Sequence, residues 1–218
     1  MSITPESVQA LLESPELGDR LRAVNQIRQL DPAIGFELIQ MVLDDRNPRV
    51  RYSGVSQLAS LGQQDPAQTI TLLRAGLQDS EPDVQAAAAD SIGALKLTDA
   101  FDDLQQLYHR TNEWIVKFSI IAALGELGDD RAFGLLEEAL QSGNELVQIV
   151  AIGSLGELGD DRAIRLLVPL VDTPDWQIRY RVAQALSRFN TPEARSALET
   201  LANDRNEQIA REAQSALS

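Results

Sequence analysis

Few residue types in this chain could carry chemistry. It contains no cysteine and a single histidine, His109, which excludes disulfide frameworks, thiol nucleophiles, thiolate metal sites and His-pair metal motifs. What it offers instead is aromatic and basic residues at matched spacing. Trp114 stands four residues before Phe118, and Trp176 four before Tyr180, a separation that puts both members of each pair on one helix face. Cations sit beside the rings: Arg51 precedes Tyr52, Lys117 precedes Phe118, and Arg179 and Arg181 flank Tyr180. Rings of this kind stack on a planar ligand, and guanidinium forks take carboxylates bidentately. The remaining candidates have plainer readings. His109, in Leu107-Tyr108-His109-Arg110, is a proton donor or a partner for a helix C-terminus. Asp129-Asp130 and Asp160-Asp161 read as helix N-caps, not as a metal or acid–base pair. No Ser-His-Asp set and no phosphate-cradling glycine loop is present, and no catalytic residue can be named.

The elements that position these residues follow from an internal repeat. Residues 121–132 (Ile-Ala-Ala-Leu-Gly-Glu-Leu-Gly-Asp-Asp-Arg-Ala) recur almost unchanged at residues 152–163. The apolar residue of the Leu124 position returns as Ile27, Leu58, Ile92, Leu124, Leu155, Leu186 and Leu217, at intervals of 31, 34, 32, 31, 31 and 31. The residue that opens each unit is Val50, Val84, Val116, Val147, Ile178 or Ile209, with Asp19 in its place in the first. Each unit carries two amphipathic helical patterns. In the fifth they are Ala132 to Gln141, and a stretch placing Val147, Val150, Ala151, Ser154, Leu155 and Leu158 on one face. Gly128 and Gly159 suit the left-handed position that ends a helix. Pro48, Pro82 and Pro174 suit the first turn of the second helix. The chain is therefore expected to be all-α, an α-α superhelix of about seven stacked helix pairs running as one repeat domain over residues 1–218.

On such a framework the side of each second helix opposite its core stripe is the candidate binding face. Relative to Val147, residues Glu145, Ile149 and Ile152 point away from the stripe. The column of Ile149 holds Tyr52, Ala86, Phe118, Tyr180 and Arg211, and the column of Glu145 holds Pro48, Pro82, Trp114, Trp176 and Glu207. Both tryptophans, two of the three tyrosines and one of the five phenylalanines thus fall on adjoining columns. Two readings stand. The columns line a groove for a planar ligand or a partner helix, or they pack between successive second helices. The basic residues have a second reading as well, in which an arginine after the opening valine pairs with an aspartate of a neighbouring repeat. Arg181 departs from that pattern by occupying the place of apolar Val150.

The pattern Asp-x-x-Pro-x-Val-Arg-x-x-Ala/Gly-x-x-x-Leu-x-x-Leu, clearest from Asp45 to Leu61, resembles a HEAT-like repeat. The Leu-Gly-Asp-Asp-Arg-Ala linker resembles the phycobilin-lyase-related subclass of that family. Residues 18–26, 83–90 and 175–186 resemble its cyanobacterial phycobilisome-degradation members. The resemblance implies action on phycobiliprotein subunits such as phycocyanin and allophycocyanin. It further implies transient handling of their bilin (phycocyanobilin) with none held covalently, and a cytoplasmic location near thylakoid-bound phycobilisomes. A bilin-attaching lyase subunit and a non-enzymatic adaptor are the alternatives it leaves.

The charge balance sets partners in the same direction. With 19 Lys plus Arg against 33 Asp plus Glu the formal charge is −14, so nucleic acid and anionic membrane surfaces are repelled. The Met1–Glu6 start has no basic and apolar leader pattern. No apolar run reaches the roughly 18 residues of a membrane span, and no membrane insertion is expected.

Overall fold

Gly128 and Gly159 adopt φ of +66° and +71°, a conformation that costs little only without a Cβ. Each ends a long helix and turns the chain into the next. These two turns belong to a structure built wholly from helices. The computed structural model describes residues 3–218. Among them fourteen α-helices pair in chain order: α1 (Pro5–Leu12) with α2 (Leu17–Ile27), α3 (Pro32–Ile39) with α4 (Pro48–Leu61), α5 (Pro66–Gly76) with α6 (Pro82–Ala94), α7 (Phe101–Arg110) with α8 (Trp114–Leu127), α9 (Ala132–Leu140) with α10 (Glu145–Leu158), α11 (Ile164–Leu167) with α12 (Trp176–Leu186), and α13 (Pro192–Leu201) with α14 (Glu207–Leu217). The architecture is the expected α-α solenoid of seven pairs. By its contacts the chain divides into two units, residues 1–120 and 121–218.

Local sequence explains most boundaries. Asn47, Asn144, Asp175 and Asn206 each cap a second helix, their side-chain oxygens accepting from the backbone N–H two residues on, which satisfies a donor that the helix leaves orphaned. Pro48 and Pro82 open α4 and α6. Pro174 does not open α12; Asp175 is the cap and Trp176 the first helical residue, so the proline precedes the helix. The first helix of that repeat is the shortest, because Pro169 follows and the chain continues as a 3₁₀ turn over Val168–Leu170, proline having no N–H to extend an α-helix.

The repeating apolar positions form the core. Val50, Val84, Val116, Val147 and Ile209 are buried, as are Ile27, Leu58, Ile92, Leu124, Leu155 and Leu186. Ile178 is half-buried, in the repeat with the shortest first helix. Neighbouring second helices come close where side chains are small. A Cβ on Gly125 would stand 2.8 Å from Ser154 Cα, and one on Gly156 2.7 Å from Ala185 Cα. The two glycines of each Leu-Gly-Glu-Leu-Gly segment therefore have separate tasks, helix contact for the first and chain reversal for the second.

One expectation about α10 needs correction. Ile152 does not face away from the core but is buried. The second helix packs against α9 and also against α12, so a solenoid helix buries residues on more than one side and a single core stripe underestimates it.

Candidate functional site

The second helices carry the aromatic residues to the surface. In the first unit Tyr52 and Trp114 are 47% and 46% exposed, and in the second Trp176 is 45% exposed. Phe118, Ile149 and Tyr180 are half-buried, and Ala86, which stands in the same column on α6, is buried. The column of Glu145 is thus open to solvent at both tryptophans, while in the column of Ile149 Tyr52 is the one exposed ring and Arg211 is exposed with it. Tyr180 is drawn into a polar chain: Gln184 Nε2 donates to its hydroxyl at 3.2 Å, and the hydroxyl donates toward Glu212 Oε2 at 3.5 Å.

The basic residues divide into two kinds. Arg179 is buried, and its guanidinium grips Asp204 through Nε–Oδ2 at 2.6 Å and Nη2–Oδ1 at 3.1 Å, while Nη1 donates to the carbonyls of Thr173 and Pro174. Arg51 holds Asp79 in the same manner at 2.7 and 2.8 Å and donates to the Asp45 carbonyl. Arg20 repeats the arrangement with Asp45. In each case the arginine after the opening position reaches the aspartate that precedes the next second helix. The charge-assisted bonds hold the Asp79 and Asp204 carboxyls below the usual carboxylate range and raise the Arg51 and Arg179 guanidinium pKa above the usual arginine value. Arg51 and Arg179 are therefore committed to structure, with forks that no longer face an incoming carboxylate. Lys117 lies over the Tyr108 ring at 4.9 Å, a cation–π contact, and Tyr108 meets His109 edge-on at 5.6 Å.

Arg181 is different. It is exposed, and Nη1 donates to the neutral Gln184 amide oxygen at 3.0 Å. It stands at the edge of a recess of about 370 Å³ between α10, α12 and α14. Gly153 and Ala185 lie there with Arg188, whose contact with Glu157 is a loose 3.7 Å.

Asp90, on α6, was not singled out by sequence. It is solvent-accessible yet crowded, and desolvation pushes its carboxyl pKa up against the opposing hydrogen bond from Ser119. Of the aspartate pairs expected as helix N-caps, Asp160 caps the 3₁₀ turn Asp161–Ala163, whereas α9 has Arg131 at its N-cap with no side-chain capping bond, so Asp129 lies in the turn ahead of the helix. Asp129 and Asp160 accept from the backbone N–H of Arg131 and Arg162 and bind the same arginines' guanidinium groups. Among the described residues no cluster of three or more His, Asp or Glu side chains is arranged to hold a metal ion. None of the described helices is long and apolar enough to cross a membrane.

A sequence profile of HEAT repeats matches residues 70–146 and again 134–218. The chain belongs to the HEAT repeat family. No curated protein matches it in sequence. Among solved structures it is similar to the complex of CpcE and CpcF of phycocyanin lyase from Nostoc sp. PCC7120, at 21% identity and a TM-score of 0.65, covering 100% of this chain and 94% of that one. It is also similar to an engineered protein (20% identity, TM-score 0.66, 98% of this chain and 67% of that one). A third is YibA of E. coli (14% identity, TM-score 0.63, 99% and 92%). At these identities the likeness establishes the HEAT fold.

Viewed as a HEAT array, the features that sequence reading missed share one column. Asp90, Gly153 and Gln184 all lie six residues after the opening residue of their repeat, where the other second helices carry Asn25, Ser56, Ala122 and Ser215. The column is mostly small, so a lone carboxylate and an open glycine in it are the available signal.

Proposed function

We propose that this HEAT-repeat protein acts on phycobiliproteins in the manner of the phycobilisome degradation protein NblB, binding phycocyanin or allophycocyanin subunits and helping to detach or handle their bilin as the antenna is dismantled. The observation that carries this reading is the exposure of Tyr52, Trp114 and Trp176 on second helices. Trp114 and Trp176 stand at repeat-equivalent positions and Tyr52 in the adjoining column, and large rings left in water on these columns suit a planar chromophore or the helix that bears it. The resemblance of residues 18–26, 83–90 and 175–186 supports it, as does the shared fold with the CpcE–CpcF complex. With no cysteine the chain holds no thioether-linked bilin of its own. Its part is to grip the chromophore by its plane while the substrate's own cysteine is released.

A second reading, a non-enzymatic adaptor, draws on the ion pairs. Arg51 and Arg179 are taken by Asp79 and Asp204, which removes two cations that would otherwise receive bilin propionates. The deciding experiment is a titration of the purified protein with phycocyanobilin and, separately, with holo-phycocyanin, following absorbance and size-exclusion elution. The doubly substituted Trp176→Ala/Tyr180→Ala protein serves as control. A red-shifted, co-eluting bilin that the control fails to bind supports chromophore handling. Holo-phycocyanin binding without spectral change, and no binding of free bilin, supports the adaptor. Binding of neither removes both.

A further inference from the structure

The recess between α10, α12 and α14 has a composition that the aromatic columns do not explain. Its floor is Gly153, where an added Cβ would meet nothing within 4 Å, so the space is open down to the backbone. Arg181 and Arg188 stand on its walls with Gln184, and Glu157 and Glu212 complete it. Of the two arginines, Arg181 donates to the neutral Gln184 amide oxygen, at 3.0 Å, and not to a carboxylate. Arg188 touches Glu157 at 3.7 Å with both side chains about half exposed, a pairing weak enough for a better-placed anion to displace. Gln184 is held in place from the far side, since its Nε2 donates to Tyr180 Oη at 3.2 Å, which in turn leans on Glu212. The orienting chain therefore starts at a carboxylate, passes through Tyr180 and ends at the guanidinium of Arg181. In a protein of net charge −14, the recess sets two guanidinium groups against two carboxylates, Glu157 and Glu212, over an open glycine floor.

We infer that this recess binds a carboxylate of the ligand that stacks on Trp176 and Tyr180, with Arg181 and Arg188 as the two guanidinium partners. This rests on the bilin-handling reading of the second-helix face and adds to it where a side-chain carboxylate is seated. The span is suitable: Trp176 and Gln184 are eight residues apart on α12, which at 1.5 Å per residue is about 12 Å along the axis. A linear tetrapyrrole with propionate arms bridges such a distance, its ring plane at one end and a carboxylate at the other.

The test compares phycocyanobilin with its dimethyl ester, in which both carboxylates are masked, by fluorescence titration of the full chain at low and moderate salt. The free acid should bind at least tenfold tighter than the ester, and the preference should shrink as salt rises. Arg181→Gln and Arg188→Gln should each remove most of that preference while leaving ester binding unchanged. Gly153→Leu keeps both arginines and fills the floor, and it should block the free acid without lowering thermal stability. Equal binding of acid and ester by the native protein overturns the carboxylate recess and leaves the bilin reading standing. Failure to bind either overturns both. A preference that survives Arg181→Gln/Arg188→Gln places the carboxylate elsewhere and overturns the assignment.

Discussion

Arg179 and Asp204, 25 residues apart, are joined by two hydrogen bonds at 2.6 and 3.1 Å with 6% and 8% of their side-chain surfaces exposed. Arg181, two residues further along the same helix, is exposed and bonded to an amide. Adjacent cations on one turn thus have opposite roles, one locking consecutive repeats and the other facing solvent.

Substitution should separate them. Arg179→Ala leaves Asp204 buried without its partner and is expected to cost about 3 kcal/mol of stability. Arg181→Ala should change stability by less than about 0.5 kcal/mol while weakening ligand binding. Chemical denaturation of the two variants, side by side, checks both values.

The same pairs predict the acid limb of the stability curve. The Asp79 and Asp204 carboxyls titrate below their unfolded values. Their contribution is therefore full above the unfolded pKa of about 3.9 and is lost as pH falls below it toward the folded values. The melting temperature should drop steeply below about pH 4, and Asp204→Asn should flatten that drop. An acid limb unchanged in Asp204→Asn would show that the pair does not govern it.

Asp90 should behave in the opposite sense. Its folded pKa is raised, so the folded state binds its proton more tightly than the unfolded one, and ionisation at higher pH works against folding. Asp90→Asn retains a group that can bond to Ser119. It should therefore melt higher than the native protein at pH 7, with the difference closing as pH is lowered through the Asp90 titration. Melting curves at a series of pH values measure this directly.

Two glycines on α10 provide a packing test. Gly156→Ala drives a Cβ into the Ala185 backbone at 2.7 Å and should destabilise by about 1–3 kcal/mol. Gly153→Ala meets open space and should stabilise by about 0.5–1 kcal/mol, since alanine is the better helix former. Thermal unfolding of the pair reads a difference in sign.

Much of the fold was legible in the chain by itself. A repeat of 31 to 34 residues with apolar residues at helical spacing has one economical solution, stacked helix pairs, because each pair can hide its stripe only against its neighbours. Gly128 and Gly159 announced their turns, and Asp160 its cap, because these depend on residues close in sequence. The alignment of Trp114 with Trp176, and of Tyr52 with Tyr180, was also readable, since repeat register is a property of sequence. What each of those residues touches was not. Arg51 and Arg179 follow the opening residue of their repeats and Arg181 does not, which left pairing with a neighbouring aspartate as one of two readings, and only the placement of Asp79 and Asp204 one repeat later decides that the first two guanidinium groups are bound. Asp90 is likewise ordinary in sequence and becomes unusual through the crowding that desolvates it. Local propensity and period determined the elements and their order. Packing between residues 25 or more positions apart determined exposure, charge pairing and the recess beside Arg181, because those depend on distances that no local pattern encodes.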